Sequence, residues 1–204
     1  PQLIYLPEAA FDVDRFLDDV RGALEKEDSV VIAVSEGVRL ADGSYVAESM
    51  QSGQVDAFGH KYLAGVGKYL ERLIADRIGC KVRSIELSVL QRAASHLQSG
   101  TDLAEAIRTG ETAVQFLIAG KTRVMVALRR ISNEPYRIGY EAVPLEAVAN
   151  VEHKIPREWI NEAGNGVREE LVRYLAPLIQ GETAVPMKDG VPVHFAFDKT
   201  PIEG

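Results

Sequence analysis

Val30-Val31-Ile32-Ala33-Val34 is an unbroken apolar run dominated by β-branched residues, and it leaves the chain few ways to fold. A strand with one face in water alternates apolar and polar side chains. A run without alternation predicts a strand buried on both faces, as in a parallel sheet. The preceding segments agree. Gln2–Leu6 reads as a short strand stopped by Pro7, and Val13, Phe16, Leu17, Val20 and Leu24 then recur at helical spacing behind Asp12, a good N-cap. Strand, helix and strand in short succession make a βαβ unit with a right-handed crossover. The expected class is α/β.

Further along, the periodicity fails from Gly37 to Gly59, where Gly, Ser, Asp and Gln dominate. This predicts a long loop at the C-terminal end of the second strand, the edge where open α/β sheets bind ligands. Tyr62, Leu63, Val66, Tyr69, Leu70, Leu73 and Ile74 predict a helix ending near Gly79, and the alternation in Val82–Val89 predicts a strand with Ile85, Leu87 and Val89 on one face. Thr101–Gly120 reads as a helix with a weak point at Gly110. Thr122–Ile131 and Tyr136–Val143 read as a strand pair turned through Ser132-Asn133-Glu134-Pro135. Pro156 opens a helical turn that makes Trp159 a core anchor; Val167–Ile179 predicts a helix and Val191–Phe197 a last strand.

Composition narrows the function classes. A formal charge of −7 disfavours a nucleic-acid surface, because a polyanion needs a basic patch. No apolar run approaches the roughly 20 residues of a membrane span. Cys80 is the only cysteine and has no internal disulfide partner, and no signal peptide opens the chain, so a reducing cytoplasm is the expected compartment. The chain starts at Pro1 and enters a strand at once, which leads us to expect further sequence upstream.

Two places carry candidate chemistry. In Ser35-Glu36-Gly37 a carboxylate follows the apolar strand directly, where it can accept hydrogen bonds from ligand hydroxyls; a solvated loop acid or a cap on a neighbouring helix is the plainer reading. Lys81-Val82-Arg83 and Gln91-Arg92 bracket the predicted third strand with cations. Guanidinium groups that converge can hold a phosphate monoester through paired charge-assisted hydrogen bonds, while surface charges framing a strand would look the same. The chain has no phosphate-binding G-x-x-x-x-G-K-[ST], no G-x-G-x-x-G, no Cys/His metal spacing and no nucleophile elbow. No residue is therefore assigned as catalytic or metal-binding.

Several blocks, taken in order, resemble the pyrophosphate-dependent branch of the 6-phosphofructokinase family. They are residues 31–37 (VIAVSEG), 56–60 (DAFGH), 83–102 (RSIELSVLQRAASHLQSGTD), 133–136 (NEPY), 156–161 (PREWIN) and 177–182 (PLIQGE). The resemblance implies the C-terminal portion of such an enzyme: a Rossmann-like parallel-sheet lobe in a three-layer αβα arrangement, as an incomplete chain. It implies transfer of a phosphoryl group from pyrophosphate, or ATP, to the 1-hydroxyl of fructose 6-phosphate in glycolysis. Residues 1–92 would form the sugar-phosphate lobe, 93–143 a segment crossing to the donor lobe, and 144–204 the return.

By the same resemblance, Glu36 matches a glutamate that contacts the sugar and Arg92 an arginine that binds its 6-phosphate. Arg83 matches an arginine that reaches that phosphate from a neighbouring subunit, which implies a homo-oligomer, dimer or tetramer. Val89 stands where the family presents tyrosine or histidine to the substrate, and valine offers no hydrogen bond. The family's donor-phosphate glycine loop, its T-I-D-N-D-like segment with the catalytic base and magnesium-binding acids, and its M-G-R segment have no match here. They are expected upstream of Pro1, so the chain alone is expected to be inactive and Mg2+ to be held mainly by that other half. The alternative is a non-catalytic, sugar-phosphate-binding regulatory subunit, which Val89 favours.

Overall fold

The computed structural model describes residues 1–47, 65–193, 196 and 198–200. The later part of the predicted loop (48–59), the block 56–60, Tyr62 and Leu63, and positions 194, 195 and 197 of the predicted last strand lie outside the described residues. The chain divides into two compact units. The first comprises Pro1–Leu87 and Glu146–Leu175, the second Ser88–Leu145 and Ala176–Gly204.

The first unit is built on the predicted βαβ. β1 (Leu3–Tyr5) and β2 (Ile32–Val34) pair in parallel, with Leu3 opposite Ile32 and Tyr5 opposite Val34, and α1 (Val13–Leu24) connects them. Asp12 caps α1 as expected, its carboxylate accepting the Arg15 N–H at 2.9 Å. Phe16, Leu17 and Val20 are the buried stripe of α1. They meet Leu3 and Tyr5 from the sheet, Phe11, Val38 and Val46, and Val66, Leu70 and Ile74 from α2 (Val66–Ile78). Phe16 sits at the centre, fully buried, with the Tyr5 and Phe11 rings each 5.3 Å away. α2 ends where predicted. Gly79 adopts φ +79°, a left-handed C-cap that a side chain would strain, and its N–H returns to the carbonyls of Ala75 and Ile74.

Two expectations for this unit need correction, and one gains detail. β2 is not buried on both faces: Ile32 and Val34 turn toward the helices, while Ala33 and the preceding Val31 are exposed. An apolar run records that a strand tolerates burial, not that both faces are covered. Within the predicted loop, residues 38–46 fold back on themselves, Val46 N–H donating to the Val38 carbonyl and Arg39 bridging to Tyr45. The predicted strand Val82–Val89 does not form. Residues 79–87 have no ladder partner among the described residues, and a strand without a neighbour gains nothing from its alternation. The alternation survives in reverse, with Val82 and Ser84 turned inward and Ile85 left 82% exposed.

The returning stretch 146–175 completes the unit. Asn165 accepts the Ile4 N–H at 2.9 Å, extending the hydrogen bonding of β1. Ile160, not Trp159, is the anchor here: Ile160 is 1% exposed, whereas Trp159 lies half-buried against Tyr174. The predicted helix over 167–179 is α6 (Glu169–Leu175) followed by a 3-10 turn, Ala176–Ile179, because Pro177 has no N–H to continue the ladder.

The second unit opens with α3 (Ser88–Ala93) and a 3-10 turn, Ser95–Leu97. α4 (Gly100–Ile118) runs unbroken through Gly110. Ser99 holds its start twice over, accepting the Asp102 N–H at 3.0 Å and donating its hydroxyl to the Leu178 carbonyl at 2.6 Å. The predicted strand pair is an antiparallel hairpin, β3 (Val124–Asn133) with β4 (Tyr136–Pro144), bulged between Arg130 and Ser132. It meets α4 through the Tyr136 hydroxyl, which donates to the carboxylate of Glu105. A short helix, α5 (Leu145–Val148), follows, and the last described elements are the two-residue strands β5 (Met187–Lys188) and β6 (Val191–Pro192).

Candidate functional site

Glu36 lies where a ligand-binding acid belongs, in the turn that leaves the carboxyl end of β2. The turn is fixed by its neighbours. Ser35 N–H donates to the Tyr5 carbonyl at 3.1 Å, Val38 N–H returns to the Ser35 carbonyl at 3.3 Å, and the Ser35 hydroxyl accepts the Gly37 N–H at 3.3 Å. This holds the Glu36 side chain near the start of α2, where the backbone N–H of Val66 favours its charged form. That N–H is one of the donors a helix leaves unpaired at its first turn. The structure thus supports the capping role allowed by the sequence.

It does not account for the whole group. Oε2 of Glu36 is buried and has no hydrogen-bond partner among the described residues. An orphaned buried carboxylate oxygen is unfavourable unless something else satisfies it. The electrostatics point the same way: burial foremost, then the negative charge of Glu86, hold the carboxyl above its usual range, with the Val66 N–H pulling weakly against them. The site therefore disfavours the charge it carries, a condition common where a side chain is kept for function. Glu86 was not singled out from the sequence. Its place on the same side of the extended segment as Ser84, which faces α2, was the available signal.

Arg83 is exposed in the irregular segment before α3 and belongs to the first unit, with Glu36. Val89 and Arg92 belong to the second unit, on α3. They stand three positions apart on that helix and so share a face. Both are exposed, Val89 at 70%. The cations at 81–83 and 92 therefore do not bracket one strand. Arg129 and Arg130 are engaged elsewhere: Arg129 pairs with Glu141 at 3.3 Å, and Arg130 stacks over the Tyr136 ring and donates to Asn133. Cys80 packs against the core of the first unit. Among the described residues no three His, Cys, Asp or Glu side chains gather to hold a metal ion, and no helix is long and apolar enough to cross a membrane.

No family model matches the chain. Its fold matches the crystal structure of the pyrophosphate-dependent phosphofructokinase from Nitrosospira multiformis with a TM-score of 0.77 and 35% identity, covering 94% of this chain and 44% of that one. The α/β architecture, with an acid at the carboxyl edge of a parallel strand pair, is therefore of the phosphofructokinase kind. Sequence comparison narrows this. The chain is 44% identical over 192 residues to the pyrophosphate–fructose 6-phosphate 1-phosphotransferase of Halomonas elongata, across 94% of this chain and 45% of that protein. It is 42% identical over 190 residues to the protein of the same name from Methylococcus capsulatus, across 93% and 44%. Over nearly all of its length the chain is thus similar to pyrophosphate-dependent members of the 6-phosphofructokinase family. It spans less than half the length of the relatives it matches.

Proposed function

We propose that the protein containing this chain transfers a phosphoryl group from pyrophosphate to the 1-hydroxyl of fructose 6-phosphate, and that this chain is its C-terminal, sugar-phosphate-binding part. The observation that carries the reading is 44% identity across 94% of the chain to a protein named for that reaction. The orphaned Oε2 of Glu36 supports it from the structure, as an acceptor for a sugar hydroxyl.

In this reading Glu36 fixes the hexose through its hydroxyls while Arg92, and Arg83 from a neighbouring subunit, hold the 6-phosphate. Arg suits this task because its planar fork gives two parallel bonds to phosphate oxygens. Val89, on the same face of α3 as Arg92, packs against the sugar without orienting it. Phosphoryl transfer depends on positioning and charge neutralisation more than on covalent help from the protein. Holding the hexose at both ends is how this chain contributes, because it fixes the 1-hydroxyl for in-line attack. Magnesium, which neutralises charge on the donor, is assigned to the remainder of the protein, as are the catalytic base and the pyrophosphate contacts. A homo-oligomer in the cytoplasm completes the proposal.

The regulatory-subunit alternative rests on Val89 alone and is not favoured, since relatives 39–44% identical to the chain are named as phosphotransferases. The test is to express the full-length protein and follow fructose 1,6-bisphosphate formation with pyrophosphate and with ATP. Turnover with pyrophosphate is the expected result. No turnover with either donor overturns the reading.

A further inference from the structure

The segment carrying Arg83 has no strand neighbour among the described residues, yet its path is fixed at one point. Oε2 of Glu71, on α2, accepts three hydrogen bonds: from the Ser84 N–H at 2.7 Å, from the Ser84 hydroxyl, and from Lys68 Nζ at 2.8 Å. Ser84 follows Arg83 directly, so its N–H belongs to the peptide plane that Arg83 begins. Fixing that plane fixes the Arg83 Cα, which lies in it, and with it the point from which the long side chain departs. These bonds hold the Glu71 carboxyl down at about 2, the Lys68 ammonium contributing most and the two Ser84 donors next, so the acceptor is charged across the working pH range.

A second feature is built around the same contact. Gly67 lies one helical turn before Glu71 on α2, and a Cβ placed there would come within 3.2 Å of the Ser84 Cβ. Glycine inside a helix is unfavourable relative to alanine, by about 1 kcal/mol. Here its bare backbone lets Ser84 sit down on α2 where the Glu71 carboxylate can reach it. With Ser84 turned in, Arg83 and Ile85 are turned out.

We infer that Glu71 is a positioning residue: through Ser84, seated over Gly67, it sets the position of Arg83 and thereby the affinity for the sugar phosphate. The inference rests on the proposed role of Arg83 in phosphate binding. Glu71 makes no contact with the substrate in this scheme, and its influence passes entirely through the Arg83 backbone.

A double-mutant cycle in the full-length protein tests it, with KM for fructose 6-phosphate, KM for pyrophosphate and kcat as readouts. Arg83→Ala is expected to raise KM for the sugar phosphate about tenfold or more, as the loss of a charge-assisted pair. Glu71→Ala is expected to raise the same KM about fivefold, with KM for pyrophosphate and kcat within about twofold. In the Arg83→Ala background, Glu71→Ala should then have no further effect. Gly67→Ala leaves the Glu71 carboxylate and its Lys68 pair in place while its Cβ presses on Ser84, so it should raise KM for the sugar phosphate in the same selective way. Additive effects of Glu71→Ala and Arg83→Ala, or a Gly67→Ala enzyme with unchanged KM, overturn the inference and leave the proposed function standing. An Arg83→Ala enzyme with unchanged KM overturns the assignment of Arg83 itself, a failure visible in the single variant without reference to Glu71.

Discussion

Replacing Glu36 by glutamine removes a charge while keeping the shape of the side chain, and the structure predicts opposite consequences for stability and for binding. The amide oxygen can still accept the Val66 N–H, so the contact with α2 persists. What disappears is the charge that burial and Glu86 oppose. An acid whose folded-state pKa is raised binds more protons folded than unfolded. Its contribution to stability is therefore fully present below the ordinary carboxylate pKa and is lost as the pH rises through the raised value. Glu36→Gln and the parent should unfold at similar temperatures under acid conditions, and the variant should become the more stable as the pH approaches neutrality. The gain should stay below about 1 kcal/mol, because Glu36 is only half-buried and solvent screens Glu86. Binding should move the other way. A hydrogen bond to a charged acceptor contributes about 1.5–3 kcal/mol and one to a neutral acceptor about 0.5–1.5, so losing the charge should raise KM for fructose 6-phosphate roughly five- to tenfold. Thermal unfolding across pH and steady-state kinetics of the full-length protein measure both. Were the carboxylate only a cap for α2, the amide would weaken its interaction with the helix dipole and lower stability by about 0.3–1 kcal/mol. A less stable variant with unchanged KM would refute the reasoning.

Other substitutions probe separate parts of the chain. Arg92→Ala should raise KM for the sugar phosphate by the equivalent of about 2 kcal/mol, roughly thirtyfold, and an unchanged KM would remove Arg92 from the site. Phe16→Ala, at the fully buried centre of the first unit, should destabilise the protein by about 3–5 kcal/mol in denaturant titration, and a loss below about 1 kcal/mol would contradict its central place in the core. Tyr136→Phe removes the hydroxyl that satisfies Glu105, the one buried charged residue among the described residues, and should cost about 1–3 kcal/mol of stability without changing KM.

The elements legible in the sequence are those whose cause is local. Asp12 with the stripe of α1, Gly79 behind α2, and the strand pair turned at Asn133-Glu134-Pro135 all declare themselves within a few residues. Ser99 as the cap of α4 is less legible, because half of its role is a bond to Leu178, which is remote in sequence. The segment 82–89 departs from its sequence pattern for a related reason. Its alternation is a property of the segment alone, whereas strand formation depends on a neighbour, and Ser84 turns inward because Glu71 on α2 receives it. Glu36 could be located but not weighed. Its position after β2 is written in the sequence; the burial of Oε2 and the approach of Glu86 arise only when the turn meets α2. Similarly, Trp159 drew attention by size, while the neighbouring Ile160 occupies the interior.

The order in which the chain visits its two units has a consequence for its synthesis. The first unit is left at Leu87, and its remaining piece, with Ile160, Leu171 and the Asn165 carbonyl that receives Ile4, emerges only after the whole α4–β3–β4 segment has been made. Until then β1 leaves the ribosome with its Ile4 N–H unclaimed, a growing edge open to pairing with a stranger. No cut at a single peptide bond can separate the two units into contiguous pieces, so a protease nicking near residue 145 severs both architectures at once.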